Sequence, residues 1–203
     1  MVNSQSPQKV NALPGKKEKI LSATFECISQ IPYSEINMQM IADRAGVSKG
    51  IIHYYFKDKE SLLINVLDKL FTDLEAMLDA KLSDVASVED RLKFTLNYFF
   101  TSIKEIKTLY VVLMDFWSQA SKNEYFKKAC NIAYERYRKR LTETIQAGVA
   151  SGIFKPIKER TLAMIIIGCV EGLMVQWTFD NSIFDFQEIE NTVMDLLTCY
   201  LKK

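Results

Sequence analysis

The sequence predicts an all-α protein with a small helical head on a larger helical bundle. Three observations predict it. Apolar residues recur at the three- and four-residue spacing of a helix along most of the chain. Glycine and proline are scarce, 7 and 4 in 203 residues, and none of the prolines falls inside a helical pattern, so each can be a boundary. Runs of β-branched residues bounded by turn signals, the mark of strands, are missing. A composition that is 48% hydrophobic and 25% charged is that of a globular chain, not a disordered or fibrous one. This length buries a core without disulfides or metal.

Residues 1–15 are rich in Asn, Gln, Ser, Pro and Lys and read as a flexible arm. A first helix is expected over 16–30, with Ile20, Thr24, Cys27 and Ile31 on one stripe and Pro32 as its stop. Asn37 caps a short second helix over 38–45, ended by Gly46. Ser48 caps a third, to Tyr55. Asp58 opens a long fourth helix to Lys81, with the stripe Leu63, Leu67, Leu70, Leu74 and Met77. Ser87 and Asp90 resemble a capping box for a fifth, to Glu105. An apolar sixth covers 108–120. Asn123 opens a seventh, to Ser151, closed by Gly152. Pro156 precedes an eighth over 159–180. Asp185 with Glu188 opens the last, to Leu201. Short helices thus fill the first quarter and long ones the rest, which divides the chain into the arm (1–15), a head (16–57) and a body (58–203).

Rare residues exclude whole classes of chemistry. With His53 as the one histidine, two-His metal motifs are impossible within one chain. Cys27, Cys130, Cys169 and Cys199 are far apart and form no C-x-x-C pair, so they are expected to be buried thiols. No phosphate-cradling glycine loop is present. No metal or cofactor is expected. The start is polar and lacks a signal peptide's apolar core, and the longest apolar run, 162–170, is too short to span a bilayer of about 20 helical residues. A soluble cytoplasmic protein without a membrane partner is expected. The net charge of +1 argues against a protein coating nucleic acid but not against local readout.

Such readout is what the head suggests. Residues 38–50 read as helix, tight turn, helix: Ile41, Ala42 and Ala45 face inward, Gly46 turns the chain, Val47 plugs the junction. Lys49 offers a phosphate contact. Gly50 costs about 1 kcal/mol in a helix relative to alanine, a cost that close approach to DNA would justify. His53, Tyr54 and Tyr55 present polar tips, while Ile52 and Phe56 belong to the core. The run Val47-Ser48-Lys49-Gly50-Ile51-Ile52-His53-Tyr54-Tyr55-Phe56-Lys57, with Ile20-Leu21, Phe25, Ile41-Ala42 and Ala45-Gly46 upstream, closely resembles the helix-turn-helix of the tetracycline-repressor (TetR) family. The resemblance is specific over 16–67 and only architectural beyond. It implies that Asn37 touches phosphate and that Ser48, Lys49 and Gly50 start the recognition helix. It also implies that Ile51 and His53 face bases or sugars, that Tyr54 and Tyr55 hold phosphates, and that Lys59 clamps one. His53 and Tyr55 exchange the residue types that many relatives carry there, which bears on base preference.

In the body, the eighth helix is apolar on two faces. Ile166, Val170, Leu173 and Trp177 make one. Met164, Gly168, Glu171 and Val175, with Gly172 beside them, make the other. A helix apolar on both sides is buried on both, one of them against a second copy. The ninth helix adds Phe186, Ile189, Val193, Leu196 and Tyr200. These ten residues from Met164, Gly168, Glu171, Gly172 and Val175 onward are the expected dimer seam, a four-helix bundle as the family also implies. The family further implies a pocket in the body, for which Tyr98, Phe99, Tyr110, Met114, Trp117, Tyr134, Tyr137 and Trp177 are candidates. Glu171 has two places open to it, beside a cationic ligand in that pocket or at the dimer seam, with the seam favoured slightly. The basic run Arg136, Arg138, Lys139 and Arg140 is expected to be solvated helix surface. The expected function is a homodimeric, ligand-responsive repressor. It reads a palindromic double-stranded operator and is released by a hydrophobic or amphipathic small molecule. The alternatives are an α-helical enzyme, or an adaptor with an apolar pocket and no DNA binding.

Overall fold

The computed structural model describes residues 15–105, 107–183 and 185–202, and the side chains among these other than residues 102–109. Among the described residues there are nine α-helices and no strand: α1 (Lys16–Ile28), α2 (Met38–Ala45), α3 (Lys49–Tyr55), α4 (Lys59–Leu82), α5 (Val88–Glu105), α6 (Lys107–Ala120), α7 (Glu124–Ala150), α8 (Glu159–Phe179) and α9 (Phe186–Leu201). Apart from Gly15, the expected arm lies outside the described residues.

Local chemistry sets these ends. The Asn37 Oδ1 accepts from the N–H groups of Gln39 and Met40, at 3.0 and 3.1 Å. Asn123 caps α7 through Tyr125 N–H at 2.8 Å, and Asp185 caps α9 through Gln187 and Glu188. Each satisfies donors that a helix start leaves orphaned. α1 ends two residues before the expected Gln30. The Cys27 carbonyl takes the N–H groups of both Gln30 (3.1 Å) and Ile31 (2.9 Å), which closes the helix ahead of Pro32.

The chain divides into two compact units, one ending at Val66 and the other starting at Leu67, so the division falls inside α4. The first unit is α1–α3 with the start of α4. Ile20, Ile41, Ala42, Ile52 and Leu62 are fully buried in it. The second unit holds the rest. Its main core joins Leu92 and Leu96 of α5, Leu141 and Ile145 of α7, Leu162 and Ile166 of α8, and Leu197 and Leu201 of α9, with Phe154 of the α7–α8 connection. A second cluster gathers Phe100, Tyr110, Val170, Met174 and Trp177.

Three expectations are corrected. Cys27 and Cys130 are buried, but Cys169 and Cys199 are exposed, because each lies on the outward side of its helix. On α4 the inward stripe passes through Leu78, which is buried, and not Met77, which is 56% exposed. The basic run of α7 is not merely solvated. Arg136 Nη1 donates to Asp68 (2.9 Å), Nη2 to Thr72 (3.0 Å) and Nε to Glu75 (3.1 Å), and Arg140 pairs with Asp79. Residues 68, 72, 75 and 79 share one face of α4 at helical spacing. Most of these pairs are too exposed to contribute more than a fraction of a kcal/mol. Glu75 is the exception in burial, with its side chain 19% exposed, and its bond is the main cause that raises the Arg136 pKa.

Candidate nucleic-acid interface and ligand cavity

In the first unit, Gly46 follows α2 with φ +64°, a left-handed conformation that suits glycine. Gly46 N–H donates to the Asp43 carbonyl at 3.3 Å and Val47 N–H to Ala42 at 3.0 Å. This pair of bonds ends α2 and redirects the chain into α3 within three residues. Ile52 is buried on α3, and Phe56 just beyond it is buried too. That orientation leaves Ser48, Lys49, Gly50, His53 and Tyr54 exposed, with Ile51 and Tyr55 half-buried on the flanks. The Tyr54 and Tyr55 rings meet edge to face at 5.1 Å. A Cβ built on Gly50 would meet only Ser48 Oγ, at 3.9 Å, so the chain itself has no steric need of glycine there.

Two residues of the first unit differ from expectation. Ser48 stands at the N-cap of α3, but its side chain makes no capping bond. The Ile51 N–H is taken instead by the Ser48 carbonyl, at 2.9 Å. Lys59, expected to clamp a phosphate, turns inward: its Nζ donates to the carbonyls of Tyr33 (2.7 Å) and Ile36 (2.8 Å) and lies 4.0 Å from the Tyr33 ring centre.

The second unit contains a cavity walled by α4, α5, α6, α7 and α8. Its lining includes Tyr98, Phe99, Tyr110, Tyr134 and Tyr137, five of the eight expected residues. It offers about 80 Å³ to the centres of water-sized molecules, where one water needs roughly 10–15 Å³. Met114, Trp117 and Trp177 do not line it. Trp177 stacks edge-on against Phe186 at 5.3 Å, and Trp117 stands edge-on to Tyr110 at 6.2 Å. Met114 Sδ lies 3.9 Å from the Thr178 hydroxyl oxygen, whose proton goes to the Val175 carbonyl at 2.6 Å. The remaining lining was not expected: Leu70, Phe71, Leu74, Glu75 and Leu78 of α4, with Leu113, Ile167 and Val170. The signal was present in the four-residue spacing of Leu70, Leu74 and Leu78.

Glu171 belongs to this cavity, which corrects the preference for the dimer seam. The Tyr134 hydroxyl donates a short hydrogen bond to its Oε1. Burial pushes the Glu171 carboxyl above the ordinary range, against smaller opposing effects of Tyr134 and Arg138. Burial also raises the phenols of Tyr110, Tyr134 and Tyr137, helped by Glu171 for the first two and by Glu75 for the third. The lining therefore presents neutral tyrosine donors, ring faces and two carboxyl groups, with no Lys, Arg or His among its residues. Among the described residues, no three His, Cys, Asp or Glu side chains gather to hold a metal.

The outer side of α8 is also rotated from expectation. Met164 (54% exposed), Ile165, Gly168, Cys169, Gly172 and Phe179 (77%) form the exposed stripe, while Val175 is half-buried. On α9, Leu196 and Tyr200 are exposed, but Phe186, Ile189 and Val193 pack against the chain's own core. The reason is that these three share one helical stripe with Leu197 and Leu201, which are buried in the main core. A Cβ on Gly168 or Gly172 would meet nothing within 4 Å.

Residues 20–66 match the family described as bacterial regulatory proteins, tetR family, and residues 88–202 match the BetI-type transcriptional repressor, C-terminal family. The fatty acid metabolism regulator protein of Bacillus subtilis (strain 168) is 24% identical over 183 residues, 90% of this chain and 93% of that one. A regulator from Saccharomonospora viridis, crystallised in complex with choline, superposes with a TM-score of 0.80 at 20% identity, covering 92% of this chain and 97% of its own. The Bacillus subtilis regulator FadR in complex with stearoyl-CoA gives 0.80 at 22%, covering 91% and 98%. These likenesses show a shared fold.

Proposed function

Because the chain belongs to the TetR family of bacterial regulatory proteins, we propose that it is a cytoplasmic, homodimeric repressor that reads a palindromic operator through α3 and releases it when a small organic cation fills the cavity. The family makes it a DNA-binding, ligand-responsive regulator of transcription. Residues 16–57 carry the DNA contacts, and residues 58–203 bind the effector and the second copy.

The outward content of α3 carries the DNA reading. Ser48, Lys49, Gly50, His53 and Tyr54 are presented together, and Gly50 has no internal reason to be glycine. Tyr55 and Ile51 flank them, and Asn37 keeps its amide nitrogen for a phosphate while its oxygen caps α2. Two such helices about one DNA turn apart read a two-fold site. For Lys49→Ala, binding to the cognate operator, titrated at several KCl concentrations, is expected to weaken. The slope of log K against log salt is expected to fall by about one, close to the 0.9 of a lost phosphate contact. An unchanged slope and affinity would defeat the assignment.

The effector class follows from Glu171 among aromatic rings. A cation there gains charge pairing and ring attraction at once. An acyl thioester such as that bound by the FadR neighbour would bring anionic groups to a lining without a base. Choline, the ligand of the other neighbour, matches the cavity's chemistry. Choline should therefore raise the melting temperature and weaken operator binding, and stearoyl-CoA should do neither; the opposite pattern would reject the class. Release requires that the ligand prefer the form that binds DNA poorly.

For the dimer, the support is the exposed apolar stripe on α8 and the neighbouring Leu196 and Tyr200 of α9. The open space above Gly168 and Gly172 allows a second helix to approach closely. Gly168→Arg is expected to lower the mass in sedimentation from twice the 23.4 kDa of one chain to that of one chain, and to weaken operator binding with it. A variant that sediments as wild type would place the seam elsewhere.

A further inference from the structure

Lys59, in the first unit, is held by two backbone carbonyls. It opens α4, directly after Asp58, whose carboxylate caps Ser61 N–H at 2.7 Å, while the Ser61 hydroxyl donates to the Asp58 carbonyl at 2.9 Å. The start of α4 is therefore rigid without help from the lysine. From that fixed point the Lys59 ammonium reaches back across the head, 23 and 26 residues in sequence, to the carbonyls of Ile36 and Tyr33. The Tyr33 ring stands against it at 4.0 Å, within cation–π range. Lys49 and Lys57, by contrast, are exposed.

The two carbonyls lie in the connection between α1 and α2. Ile36 is buried, 2% exposed, and is followed at once by Asn37, the cap of α2. A charged donor on the Ile36 carbonyl therefore fixes the backbone one residue before the helix start that the DNA reading uses. A hydrogen bond of this kind to a charged group contributes more than a neutral one, and its removal leaves carbonyls in a partly buried place without their donor. We propose that Lys59 is a positioning residue, an internal strut that ties the start of α4 to the 33–36 turn and so sets where Asn37 and α2 stand, and that it does not contact phosphate. This rests on the DNA-binding reading for its purpose, but its geometry can be tested without DNA.

The test has two arms. In the first, the wild-type protein is labelled with an acetylating reagent and the rate at each lysine is read by mass spectrometry. Lys59 is expected to react at least tenfold more slowly than Lys49 and Lys57; equal rates would overturn the proposal whether or not the protein binds DNA. In the second, Lys59→Met and Lys49→Ala are compared on a 30-base-pair mixed-sequence duplex over a series of KCl concentrations. Lys59→Met is expected to lose several-fold in affinity with the slope of log K against log salt unchanged, whereas Lys49→Ala lowers the slope by about one. A slope lowered by about one in Lys59→Met overturns the proposal, since only a lost phosphate contact does that. A wild type that shows no salt-dependent binding rejects the DNA reading, and the labelling arm still decides where the ammonium sits.

Discussion

Glu171→Gln is expected to lower choline affinity by roughly 30-fold or more and, at the same time, to make the ligand-free protein more resistant to heat at alkaline pH. The first effect is the loss of one partner of a desolvated charge pair, on the order of 2 kcal/mol or more. The second follows from the raised pKa of Glu171, whose first cause is burial. In the folded state the carboxyl holds its proton to a higher pH than in the unfolded chain. Its contribution to stability is therefore fully present below the ordinary carboxylate range and is lost as pH rises through the raised value. Glutamine never ionises, keeps the shape and can still accept from Tyr134. Its advantage should grow as pH rises through the raised value and vanish in acid. By the same sign, choline binding to the wild type should weaken as pH falls through the raised value, because the protonated acid has no charge to offer. Melting curves across pH, with and without choline, read both effects. A variant that binds choline like wild type would remove Glu171 from the effector site.

Gly148→Ala should destabilise the fold by roughly 2–4 kcal/mol, although glycine to alanine in a helix usually helps by up to about 1 kcal/mol. Gly148 sits in the last turn of α7, and its carbonyl accepts the Phe154 N–H at 3.0 Å. A Cβ there would lie 2.1 Å from Phe154 Cδ2 and 2.3 Å from Cε2. Phe154 is 4% exposed and packed in the main core, so relieving the overlap means displacing a core ring. The clash therefore outweighs the propensity gain. Paired with Phe154→Leu, the alanine should cost much less, because the smaller side chain vacates the contact; the coupling in a double-mutant cycle of melting or denaturant curves measures this. Additive losses would show that the two residues do not meet.

What the sequence made legible was local. Asn37, Asn123 and Asp185 cap helices through bonds spanning two or three residues, and Gly46 ends α2 through its own backbone. The turn before α3, and hence the exposed set on α3, followed from such signals. What it left open was direction. Tyr134 and Trp177 both look like aromatic residues of an apolar face, yet one lines the cavity and the other fills the core, a distinction made by which helix packs opposite. The two-faced pattern of α8 was visible, but its roll was not: a rotation of about one residue moves Glu171 from the outer seam to the cavity wall. Lys59 shows the same limit. A lysine beside a DNA-reading helix suggests phosphate, and only the fold brings the Tyr33 and Ile36 carbonyls within its reach.

On the dimer proposed above, the apolar stripe of α8 would give the amount of protein a regulatory meaning. A chain that carries Met164, Ile165 and Phe179 in water is stabilised whenever a second copy covers them. Its melting temperature should thus rise with its own concentration. In a cell, the earliest molecules made after dilution by growth would be single chains with one reading head each. Occupancy of the proposed two-fold operator would then rise with roughly the square of copy number at low concentration, and control would set in at a threshold instead of fading in gradually.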